Sequence, residues 1–70
     1  MPAMSDSGKK IMTSANVRAA RKRVGEDQRT FAGRFRVDQS TVHHWETRGV
    51  SRRAATQALI SSVLAELRAA

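Results

Sequence analysis

The residues with chemistry to offer gather in and just beyond the stretch Gln28–Glu46, QRTFAGRFRVDQSTVHHWE. Ser40, His43, His44 and Thr47 recur at i, i+3, i+4 and i+7, which places them on one side of a helix. That side carries short hydrogen-bonding groups, with no carboxylate and no large apolar residue. Neutral donors and acceptors of this kind suit contact with the base edges of a nucleic-acid groove. Two other chemistries use the same residue types. His43 and His44 are metal ligands by type, but neighbouring helical residues point about 100° apart. With no Cys in the chain, no metal site is expected. Ser40 and His44 stand at i and i+4 and could touch. An exposed helix on so short a chain offers neither a substrate cleft nor an oxyanion site, so neither a catalytic residue nor a cofactor is expected.

Charge favours a polyanionic partner. Thirteen Lys and Arg stand against six Asp and Glu, for a net charge of +7. Ten of the thirteen lie between Arg18 and Arg53, so the charge surrounds the Gln28–Glu46 stretch and forms no detached tail. Such a field concentrates a polyanion near the chain, and nucleic acid is the commonest one in a cell. A binder without sequence preference would spread Lys and Arg over its contact face, whereas this face is mostly neutral. RNA is disfavoured because Phe31, Phe35 and Trp45, the only aromatics, are needed inside and leave no stacking platform. No stretch approaches a membrane span, and residues 1–13 lack the apolar core of a secretory signal. A cytoplasmic protein is expected.

A set of short helices must position these groups. Residues 1–13, MPAMSDSGKKIMT, have no hydrophobic period and read as a flexible arm. Thr13 or Ser14 suits the N-cap of a first helix that runs to about Val24 and stops at Gly25. Its apolar stripe is Val17, Ala20 and Val24, and Arg21 shares that phase, a charge where an apolar residue belongs. Asp27 can cap a second helix, roughly Gln28 to Phe35, and Asp38 a third, roughly Gln39 to Thr47. Arg36 and Val37 remain for the turn between them. Phe31, Ala32 and Phe35 face Val42 and Trp45 across that turn, and helices so short hold only by packing together. Ser51 can cap a last helix from Arg52 to about Leu67, free of Pro and Gly. Its stripe of Leu59, Ile60, Val63, Leu64 and Leu67 has two readings. It is intramolecular core, or Leu64 and Leu67 meet the same helix of a second subunit. The expected fold is all-α, with residues 14–70 as one small domain.

The pattern Arg21, Gln28-x-x-Phe31-Ala32, Val37-Asp38-Gln39-Ser40-Thr41-Val42-x-x-Trp45-Glu46 and Gly49 resembles the Cro/cI-type helix-turn-helix family of phage and bacterial repressors. The resemblance covers residues 17 to about 64. It implies a lambda-repressor-like bundle of four or five helices that binds operator DNA, usually as a homodimer. It also implies that Arg21 and Glu46, each on the apolar side of its helix, form a buried ion pair between the first and third helices. Two positions depart from the family pattern. Arg36 stands where the turn usually has Gly, and Gly49 comes one residue later than usual, without the Pro that follows it in the family.

Carried over residue by residue, the resemblance assigns Gln39, Ser40 and His44 to base edges in the major groove, with His43 flanking them. Gln28, at the start of the second helix, falls where the family places a Gln against a phosphate. Thr41, Thr47, Arg48, Arg52 and Arg53 lie on or after the recognition helix, near the DNA backbone. Arg29 and Arg36 are further phosphate candidates, and Lys9 and Lys10 could reach a minor groove from the arm. The function implied is a sequence-specific, dimeric transcriptional repressor acting on a partly palindromic operator. The alternative is an antitoxin-like or other partner-binding module in which DNA binding is secondary.

Overall fold

The computed structural model describes residues 11–69, in which local capping chemistry divides the chain into four helices with no strand. They are α1 (Ser14–Val24), α2 (Gln28–Phe35), α3 (Gln39–Thr47) and α4 (Ala54–Ala69). The expectation of an all-helical bundle holds. For residues 1–10, Lys9 and Lys10 included, the expected arm lies outside the described residues. Its last residues are fastened down: Met12 N–H donates to Gln57 Oε1 at 2.7 Å, and Gln57 Nε2 donates to the Met12 carbonyl at 3.2 Å.

Each helix start has its own chemistry. Thr13 opens α1 with a reciprocal capping box, accepting from Asn16 N–H while the Asn16 side chain accepts from Thr13 N–H. Asp27 opens α2 by accepting from Thr30 N–H at 2.8 Å. Asp38 occupies the N-cap of α3 in extended backbone but makes no side-chain cap bond, contrary to its expected role. Its carbonyl takes the Thr41 N–H instead. The last helix also begins later than expected. Ser51 Oγ accepts from Arg53 N–H only two residues on, a local turn that delays α4 to Ala54.

The ends of α1 and α2 are closed by left-handed residues. Gly25, at φ 70°, donates back to the Arg21 and Lys22 carbonyls, and Glu26 N–H returns to Arg21. Arg36 does the same for α2 at φ 59°, ψ 42°, with Val37 N–H returning to the Ala32 carbonyl. The turn therefore keeps a left-handed residue although it carries a side chain, which costs about 1–2 kcal/mol.

Phe31, Ile60, Val17 and Val42 are fully buried, one from each helix, and mark the centre of the core. Phe35 stands in T-shaped contact with Phe31 and with Trp45, centroids 5.1 and 5.3 Å apart. Ala32 is buried, consistent with a small side chain where α2 approaches its neighbours. α1 braces α3, and α4 covers α1 and α2. Leu64 is only 8 % exposed and belongs to this core, so it is not available as a seam with a second subunit. Leu67 packs half-buried against the same cluster, while Leu59 stays 37 % exposed.

Leu64→Ala is expected to destabilise the isolated chain by about 2–5 kcal/mol in urea unfolding. A change within about 0.5 kcal/mol would return Leu64 to the surface. Arg36→Gly relieves the left-handed backbone but loosens the unfolded chain, so a net gain of up to about 1 kcal/mol is expected in the same assay. A loss would show that the Arg36 side chain stabilises the turn more than its backbone strains it.

Candidate nucleic-acid interface

α3 is two-sided. Val42, Trp45 and Glu46 face inward and are buried, whereas Gln39, Ser40, His43, His44 and Thr47 are exposed. Thr41 is half-buried at the border. Nine residues make a rod about 14 Å long, whose outward flank is therefore neutral and hydrogen-bonding along its whole length. The Thr47 hydroxyl spends its proton on the His43 carbonyl at 2.8 Å, leaving the oxygen to accept. Arg36 precedes α3 and Arg48 ends it, both exposed, with exposed Arg52 and Arg53 in the following loop and Arg29 exposed on α2. A cleft of about 420 Å³ between the start of α1 and the α3–α4 loop is lined by both Arg18 and Arg52, with Met12 and Val50 among its walls.

The inward flank is fixed by a charged cluster. Arg21 Nε and Nη2 donate to the two Glu46 carboxylate oxygens at 2.7 and 3.0 Å, a two-pronged pair. The third arm of the guanidinium, Nη1, reaches the Glu26 carbonyl at 3.1 Å. Gln28 Nε2 adds a bond to Glu46 Oε1 at 3.2 Å. That bond changes the expected role of Gln28. Its amide is turned onto Glu46 instead of being offered to a phosphate at the α2 start. Burial alone would raise the Glu46 pKa, but the hydrogen bonds from Arg21 and Gln28 and the nearby Arg21 and Arg18 charges outweigh it and hold the carboxyl below its ordinary range. The Arg21 guanidinium is correspondingly raised, chiefly by its bond to Glu46. A second pair, Arg34 Nε and Nη2 to Glu26 at 2.9 and 2.6 Å, joins α2 to the loop before it at the surface.

Two further residues hold α3. The Ser14 hydroxyl donates to the Trp45 carbonyl, and Arg18 Nη1 donates to the Glu46 carbonyl at 3.2 Å. In the sequence only Arg21 stands out, because it is a charge in an apolar phase. Ser14, Arg18 and Arg21 nevertheless fall at i, i+4 and i+7. That polar row along one side of α1 is the signal that would have found the other two.

Comparison with protein-family profiles, with characterised proteins and with solved structures yields no match to this chain. Among the described residues no group of three or more His, Cys, Asp or Glu could hold a metal ion, and no helix is long and apolar enough to cross a membrane.

Glu46→Ala leaves Arg21 without its anion and is expected to cost about 3 kcal/mol at neutral pH. The lower end of the usual range applies because Arg21 keeps 20 % of its side chain in solvent. Since its pKa is lower folded than unfolded, wild-type Glu46 contributes stability that is complete above the ordinary glutamate value of 4.5. That contribution drains away as pH falls through the depressed value. Urea melts at neutral pH and at about pH 3 should therefore converge in the variant more than in wild type. An unchanged melt at neutral pH would show that the pair contributes nothing.

Proposed function

We propose that this chain is a sequence-specific DNA-binding regulator of transcription, with α2 and α3 as a helix-turn-helix and α3 in the major groove. The observation that carries the proposal is the outward flank of α3: neutral hydrogen-bonding side chains with exposed arginines at both ends. Gln39, Ser40, His43 and His44 then read base edges, where Gln can make a two-pronged contact to adenine and Ser can serve any base. Arg29, Arg36, Arg48, Arg52, Arg53, Thr41 and Thr47 meet phosphates, which set register without specifying sequence. Neither catalysis, nor a cofactor, nor a metal is part of this reading.

A repressor of phage or mobile-element type, working in the cytoplasm by occlusion, fits these parts. A dimer on a partly palindromic operator would place two α3 helices about 34 Å apart in successive major grooves and exclude polymerase. With Leu64 spent on the core, Leu67 and exposed Leu59 remain to a dimer seam on α4. An antitoxin-like protein-binding role draws on the same exposure, Ile11 at 41 % and Leu59 at 37 %.

Selection of bound sequences from a random duplex pool tests the reading. A palindromic consensus is expected, and a pool that shows no enrichment would overturn the proposal in favour of partner binding. On the selected duplex, Gln39→Ala and His44→Ala should each lose about 1–3 kcal/mol by fluorescence anisotropy, and little on a scrambled duplex. Equal losses on both would remove these residues from base reading.

A further inference from the structure

The three helices that meet at the candidate interface end differently. α1 and α2 stop at left-handed residues whose backbone N–H groups turn back onto the last carbonyls. α3 lacks that closure. Arg48 stays right-handed at φ −110°, ψ −14°, and its N–H satisfies only the His44 carbonyl, at 2.7 Å. The next two carbonyls, Trp45 and Glu46, are taken by Ser14 and Arg18 of α1. Orphan carbonyls at a helix end are costly when covered by protein, and here another helix covers and satisfies them. Arg18 also sets a positive charge at the negative end of the α3 dipole.

We infer that Ser14 and Arg18 are positioning residues that set how far α3 projects from the domain, and through that its discrimination between DNA sequences. The inference rests on the DNA-binding reading above. Carbonyls at a helix end point along the axis, so bonds to them limit movement along it. Side chains leave a helix sideways, so the Arg21 grip on the Glu46 carboxylate limits rotation about the axis. Together Ser14, Arg18 and Arg21 hold the last turn of α3 from one side of α1. Base contacts need donor and acceptor within a few tenths of an ångström of their best separation, about 2.9 Å. Long arginine side chains on phosphates follow a shifted helix without loss. A slackened grip therefore damages sequence discrimination more than general affinity.

The test compares affinities for the duplex that wild type selects and for a scrambled duplex of the same composition, with the folded fraction followed by circular dichroism. Ser14→Ala leaves the charge unchanged. It should lower the selected-to-scrambled ratio several-fold, and Ser14→Ala with Arg18→Met by about tenfold. Scrambled-duplex affinity and its salt dependence should hold for Ser14→Ala and fall only by one charge for Arg18→Met. Ser14→Thr and Arg18→Lys, which keep a donor, should restore most of the ratio. A purely structural role would lower both affinities in step with the folded fraction. That result, or an unchanged ratio, overturns the inference while leaving DNA binding in place. A wild type that prefers no duplex overturns the inference and the DNA-binding reading together. If the double variant does not fold, Ser14→Ala alone decides, since it removes a single oxygen.

Discussion

The buried carboxylate of Glu46 fixes how three of the four helices meet. It lies on α3, is gripped by Arg21 of α1 and is completed by Gln28 at the start of α2. One anion thus joins three helices of a chain whose net charge is +7. Such a cluster adds little stability over a well-packed apolar core, because desolvating the charges offsets their attraction. Its effect is on geometry. A hydrophobic face tolerates sliding, whereas a two-pronged ion pair with a third donor accepts one arrangement.

The cluster also sorts the arginines. Arg18, Arg21 and Arg34 are engaged in hydrogen bonds to other elements of the protein. Arg29, Arg36, Arg48, Arg52 and Arg53 are exposed, and no salt bridge engages them among the described residues. The first set builds the scaffold and the second forms its positive rim. Between them α3 keeps charge off its outward flank: Glu46 turns inward, and Gln39, Ser40, His43 and His44 remain outside. The core draws one or two large side chains from each helix, so each needs only one apolar side and the division is feasible in a short chain.

Much of this was legible in the residues. The types of Asp27 and Asp38 placed the starts of α2 and α3 where they are observed, and the apolar phases of Phe31, Phe35, Val42 and Trp45 named much of the core. The misplaced phase of Arg21 marked a charge needing a partner, and only the family resemblance named Glu46 as that partner. What escaped was decided by alternatives that local pattern does not rank. Ser51 could cap a helix or form a tight turn, and took the turn. Asp38 had the type of a cap but not the bond. Gln28 could face outward or inward, and Glu46, a partner distant in sequence, drew it in. Leu64 lay on a stripe wide enough for either core or seam, and only its burial in the folded chain decides for the core. Arg36 shows the opposite case, where residue type argued against a left-handed turn that the packing of α2 on α3 imposes regardless.

Whether α3 meets DNA is decided by mapping the amide resonances of the isotopically labelled chain during titration with a duplex taken from pool selection. The largest shifts are expected at Gln39, Ser40, His43 and His44, with Arg36 and Arg48 beside them and the outward side of α4 at Ala58 and Ser62 unmoved. Shifts concentrated on α4 with α3 silent would contradict DNA contact through α3.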